Sequence, residues 1–233
     1  WDFGTGALGD MACHTANLAF MALRLKYPTS IVAETVVGLN PQTYPTGARI
    51  AYQFPGRGDL PPVKLYWYEG KQDGKLLQPP ESVLKNYKQP DKGYTVLFKD
   101  GLVMVRNNDG KEHHIGSGCF IVGDKAVLFS PSDYGSESYI LTGSGIQKVT
   151  GKPEKMPSSP GHHKEWIEAC KGGPAAVSNF NYAGLLTETV LLGNVAIRAG
   201  QGKKVAWNGD KLTTGNAETD AFLRMPYRKG WTL

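Results

Sequence analysis

The chain has 233 residues, with 26 Lys and Arg against 21 Asp and Glu, a formal charge of +5. That length buries a substantial core as one large domain or two small ones, and the scattered basic residues, without runs interleaved with aromatics, weigh against a nucleic-acid partner. No apolar stretch reaches the length that spans a bilayer, and Cys13, Cys119 and Cys170 are too dispersed for a disulfide framework or a zinc site, so they read as small core residues.

The chain begins at Trp1 without a methionine, inside a glycine-rich stretch, so residues upstream of it, with any targeting signal, are expected. Gly4, Gly6 and Gly9 permit tight backbone geometry and close approach, after which Asp10 to about Leu25 reads as a helix closed by Pro28. Its apolar residues are nearly continuous, which predicts a buried helix. Asp10 and His14 stand four residues apart on it. That spacing puts both on one face, where a carboxylate can hold an imidazole in a chosen tautomer for proton transfer near neutral pH. The plainer alternative is an acid at the positive end of a helix beside an exposed histidine.

From Ser30 the period becomes two, with Ile31, Ala33, Thr35 and Val37 on one face and Val32, Glu34 and Val36 on the other. Strand-like runs follow at Ala48 to Phe54, Val63 to Tyr68, Tyr94 to Phe98, Leu102 to Arg106, Cys119 to Val122, Ala126 to Phe129 and Tyr139 to Leu141. Turn signals at Lys99-Asp-Gly101, Asn108-Asp-Gly110 and Gly123-Asp124 link such runs as antiparallel neighbours. The proline-rich patches Pro55 to Pro62 and Gln78 to Pro90 read as surface excursions. Tyr66, Trp67 and Tyr68 could stack on a sugar, although alternating aromatics are also what a half-buried strand prefers. His113 and His114 point to opposite faces of a strand with no acid to complete a coordination shell, so no metal is expected.

Beyond a polar linker, Thr150 to Pro160, helical periodicity returns. His162 to Lys171 carries Trp166, Ile167 and Cys170 on one side and stops at Gly172-Gly173-Pro174, and a longer helix runs from about Tyr182 to Arg198. A short strand at Lys204 to Trp207 and the tail Met225 to Trp231 close the chain. The predicted fold class is α+β, an open and mostly antiparallel sheet with helices packed on one face. The other face is left to solvent or to assembly. No strand leads into GxGxxG, the turn that binds dinucleotides.

The glycine-rich D-x-x-x-H stretch Gly4-Thr-Gly-Ala-Leu-Gly-Asp-Met-Ala-Cys-His14 resembles the start of the second domain of the Gfo/Idh/MocA oxidoreductases, the family of glucose-fructose oxidoreductase and inositol dehydrogenase. Trp1-Asp-Phe-Gly4, Pro160 to Gly173, Asn179 to Asn194 and Tyr227 to Trp231 resemble a bacterial, often exported branch of it, so the likeness runs from end to end. It implies that residues 1–233 form a single C-terminal domain for substrate binding and oligomerisation, with the N-terminal Rossmann domain missing. The localisation it allows is periplasmic or exported, or cytoplasmic.

The resemblance further implies an NAD- or NADP-dependent oxidation of a secondary alcohol on a sugar or cyclitol, with the nucleotide bound mainly by the missing domain. Family members complete their catalytic set with a lysine from an E-K-P motif in that domain, which has no counterpart here, so the chain alone is expected to be inactive. Asp10 and His14 correspond to the acid and histidine of the second domain. His162, His163, Asn179, Tyr182 and Arg228 are candidate pocket-lining groups, or else residues that cap helices and satisfy backbone. The expected partners are the sugar or cyclitol and further copies of the chain, joined through the open sheet face. Two other readings remain open: an NAD-dependent, redox-assisted glycoside hydrolase, and a non-catalytic carbohydrate-binding or assembly module.

Overall fold

The computed structural model describes residues 1–84, 87, 93–151, 158–224 and 227–231. The opening helical segment consists of a π-turn at Leu8–Ala12, helix α1 at Cys13–Thr15 and helix α2 at Asn17–Ala22. Strands β1 (Ser30–Val37), β2 (Gly47–Phe54), β3 (Val63–Gln72) and β4 (Lys75–Leu76) follow, then a 3-10 turn at Glu81–Leu84. Next come β5 (Thr95–Lys99), β6 (Leu102–Arg106), β7 (Glu112–His114), β8 (Cys119–Val122), β9 (Val127–Ser130), β10 (Tyr139–Thr142) and β11 (Gly145–Lys148). The chain ends with α3 (His162–Cys170), α4 (Phe180–Ala199), β12 (Lys204–Ala206) and α5 (Ala217–Asp220).

The fold is α+β and every strand pair described is antiparallel. The strands form three sheets, in the orders β12-β1-β2-β3-β4, β11-β10-β9-β8 and β5-β6-β7. Two of the expected turns adopt the geometry that antiparallel linkage needs: Asp100 and Gly101 both have positive φ between β5 and β6, and the Gly123 N–H donates to Ala126 O at 2.9 Å between β8 and β9.

Helix α4 covers the five-stranded sheet. Asn179 caps its start by accepting from the Asn181 N–H at 3.0 Å, and Gly200 ends it with a φ of 117°. Leu186, Val190 and Ile197 pack into one cluster with Ile31, Ala33, Ile50, Tyr52 and Phe54 of the sheet and Leu8, Ala12 and Phe20 of the opening helix. The buried Tyr52 hydroxyl donates to Val190 O at 3.0 Å, and Trp207 Nε1 donates to Glu188 Oε1 at 3.0 Å. Sheet and helix approach so closely because Gly193 has no side chain: a Cβ there would lie 2.3 Å from Tyr52 Oη and 2.8 Å from Leu8 Cδ1. A second, separate cluster joins Leu84, Val96, Val103, Val105, Val127, Phe129, Tyr139 and Leu141 of the two smaller sheets.

Four expectations need correction. A bulge between Ala33 and Thr35 shifts the phase of β1, so Val36, not Thr35 or Val37, joins Ile31 and Ala33 against the core. The opening helix is buried on one stripe only, Leu8, Ala12, Thr15 and Phe20; Asp10 and His14 are exposed, and the helix stops at Ala22 because Arg24 takes a left-handed conformation that folds Leu25 inward. Helix α3 buries none of its residues: Cys170, expected as a small core residue, is exposed, as are Trp166 and Ile167 beside it. Leu84, within the second proline-rich patch, is a core residue and not part of a surface excursion. Residues 85, 86 and 88–90 of that patch, 152–157 of the linker and Met225 and Pro226 of the tail lie outside the described residues.

Among the described residues no helix is long and apolar enough to cross a membrane. All three cysteines are free, and burial pushes the Cys119 thiol up to about 11, away from thiolate chemistry.

Two predictions follow from the first core. Gly193→Ala gains about 1 kcal/mol of helix propensity but overpacks the Tyr52–Leu8 contact, at about 1–3 kcal/mol, so thermal unfolding shifts down by a few degrees. The second concerns Glu69, which accepts from Trp67 Nε1 at 2.6 Å and whose carboxyl is raised by desolvation, partly offset by that bond. A carboxyl raised in the folded state contributes stability below its unfolded pKa, and loses it as pH rises through the folded value. Glu69→Gln keeps an acceptor for the indole and cannot ionise, so its melting temperature exceeds the parent's at pH 7 and the gap closes toward pH 4.

Candidate functional site

The candidate pair is carried on a helix that is anchored along its length. At the start, Asn194 Nδ2 of α4 donates to Thr5 O at 2.8 Å and the Tyr44 hydroxyl donates to Gly4 O. The Trp1 and Tyr44 rings meet with centroids 4.1 Å apart. A side chain at Gly6 would strike the Tyr44 ring at 2.7 Å and one at Gly9 would strike Thr5 Oγ1 at 1.7 Å. These two glycines therefore serve the chain's closure on itself, while Gly4 faces open space.

The π-turn Leu8–Ala12 sets Leu8 and Ala12 into the core and leaves Asp10 outside. Such wide turns are rare, and they are frequent at functional sites because they change which side chains face outward. His14 follows on α1, also exposed. No hydrogen bond or ion pair joins Asp10 to His14. The imidazole lies instead against the Tyr134 ring, with centroids 5.0 Å apart and planes tilted by 59°.

Three residues beyond His14, the Asn17 side-chain oxygen accepts a hydrogen bond from the Tyr182 hydroxyl. Tyr182 lies edge-on to Phe20 at 5.8 Å, and burial raises its phenol, which keeps it a donor at neutral pH. Of the expected pocket-lining groups, Tyr182 is thus the one bonded to the helix of Asp10 and His14. Asn179 acts as the cap of α4, with Nδ2 donating to Ala176 O at 2.9 Å. His162 and His163 sit exposed at the start of α3 with ring centroids 4.1 Å apart, and the Arg228 guanidinium lies 5.5 Å from the centre of the Trp231 ring. No hydrogen bond, ion pair or ring contact joins any of these three to Asp10 or His14.

Sequence reasoning missed the other side of the site. Thr15 Oγ1 donates to Asp133 Oδ1 at 3.1 Å, and the Ser117 hydroxyl donates to the same oxygen. Asp133 and Tyr134 belong to the turn between β9 and β10, 118 residues from Thr15 in sequence for Asp133. The only local signal was the polar run Ser130-Pro-Ser-Asp-Tyr-Gly-Ser136, a turn composition holding one acid and one aromatic ring.

Tyr66 and Tyr68 lie on the face of β3 turned away from α4, paired across to Ala51 and Arg49, with the Arg49 guanidinium 5.8 Å from the Tyr66 ring centre. Trp67 faces inward and packs on the core. His113 and His114 are exposed on β7, opposite Val105 and Met104. Among the described residues no three His, Cys, Asp or Glu side chains gather as a metal site would require.

No family model matches the sequence, and no curated protein matches it. Among solved structures, a "putative oxidoreductase" from Thermotoga maritima is similar to this chain with a TM-score of 0.39 and 12% identity, over 78% of this chain and 41% of that one. The chain thus spans less than half the length of that protein, and a likeness of this size establishes neither a shared fold nor a shared activity.

Proposed function

We propose that the chain supplies the proton-transfer side chains of an NAD- or NADP-dependent oxidoreductase acting on a secondary alcohol of a sugar or cyclitol. The observation that carries the reading is the exposed Asp10 and His14 on one anchored helix, opened by a π-turn, whose buried stripe of Leu8, Ala12, Thr15 and Phe20 faces the core. The sequence resemblance to the second domain of the Gfo/Idh/MocA enzymes supports it.

Every strand pair described is antiparallel, and the parallel βαβ unit that cradles a dinucleotide is not among them. In this reading, as the family resemblance implies, the nucleotide is held mainly by residues outside this chain, and the chain alone turns over no substrate. When bound, the nicotinamide supplies the hydride acceptor. The chain's own part is to handle the proton. His14, or the lysine that relatives carry in their first domain, takes the hydroxyl proton, and Asp10, one turn earlier, places negative charge on the same side of the helix. The side chains of Val32, Ala51, Tyr66, Thr35, Arg49 and Tyr68, on the sheet face away from α4, form the surface through which copies of the chain assemble.

In the full-length enzyme, assayed with a panel of sugars and cyclitols and with both NAD and NADP, His14→Ala lowers kcat/KM by about 10²–10⁴-fold. Activity within a few-fold of the parent would sink the role given to His14.

A further inference from the structure

The turn after β9 reaches the opening helix with three consecutive residues. Asp133 accepts from Thr15 Oγ1 at 3.1 Å, Tyr134 sets its ring against His14, and Gly135 lies beside Leu18, where a Cβ would make ordinary contact with Leu18 Cδ1 at 3.8 Å. His14, Thr15 and Leu18 are close enough in sequence to share one region of the helix surface. The turn is also stiff. Ser117 donates to the same Asp133 oxygen, the Tyr134 N–H donates to Ser132 Oγ at 3.2 Å, and the fully buried Ser130 donates from Oγ to Glu137 O at 2.7 Å. Gly135 has a φ of 63°, which lets the chain reverse directly after Tyr134.

An exposed imidazole on a helix with no hydrogen-bond partner among the described residues samples several rotamers, and a proton carrier that does so spends much of its time out of line. The ring of Tyr134 removes that freedom from one side. It remains 74% exposed, and its hydroxyl bonds to nothing described, so neither core packing nor a polar bond accounts for its position.

We infer that Tyr134 is a positioning residue for His14, delivered by the Asp133-anchored turn, and that its aromatic ring and not its hydroxyl does the work. The inference rests on the reading of His14 as the proton carrier. Ring contact fixes the plane of the imidazole, and the Thr15–Asp133–Ser117 bonds fix the ring's own place.

The test uses the full-length enzyme with selectively labelled histidine. Tyr134→Leu shifts the His14 ring resonances, which sit in the ring current of Tyr134 in the parent, and lowers kcat by about 10-fold or more while KM stays within about two-fold. Tyr134→Phe keeps the ring and restores both the resonances and kcat. Thr15→Val, which removes one donor to Asp133 at nearly constant volume, moves the same resonances as Tyr134→Leu without a change in the cofactor's KM. Unmoved His14 resonances in Tyr134→Leu, or a kcat equal to the parent's in a variant whose resonances have moved, would overturn the inference. A fully active His14→Ala would instead remove the reading of His14 on which it rests, and the resonances would still report whether the contact exists.

Discussion

The structure depends on how closely α4 lies on the five-stranded sheet. Gly193 is a point of close approach, where Tyr52 passes under the helix to donate to Val190 O and Leu8 enters from the opening helix. One missing side chain thus brings three elements into a single cluster. Because Leu8 and Ala12 are captured there, the π-turn cannot rotate, and Asp10 and His14 are held on the outside by what is buried on the inside. Close packing, more than any bond made by the pair, fixes the orientation of the candidate site.

Polar anchors then set the helix lengthwise. Asn194 and Tyr44 hold backbone carbonyls before the π-turn, and Tyr182 holds Asn17 after it. Asn194 and Tyr182 both come from α4, so the helix that builds the core also spaces the site. Among the described residues the side chains of Asp10 and His14 make no hydrogen bond, so packing beneath the helix and not bonding of the pair sets where they stand.

Much of this was legible in the sequence where the signal was local. The edges of β6 and β8 follow from alternation, the Asp100-Gly101 turn from its composition, and α4 from its period and its Gly200 stop. The exposure of His14 was legible only as one of two alternatives, because a run of apolar residues does not say which stripe of a helix meets the core. The bulge at Glu34 was hidden for a related reason: it inserts one residue into an alternation that reads smoothly without it. Thr15 and Asp133 are 118 positions apart, and pairing them required knowing that the smaller sheets fold back toward the opening helix. Cys170 misled for the opposite reason, since a helix can present an apolar stripe that none of the described residues covers.

The two apolar clusters share no residue. The first sets the helix of Asp10 and His14, and the second sets the turn that carries Asp133 and Tyr134. A change of shape in the second cluster can therefore re-aim what lies beside His14 without repacking the elements that hold His14 itself. Such a division gives selection two separate handles: the placement of His14 can be held by one core while its surroundings diversify on the other.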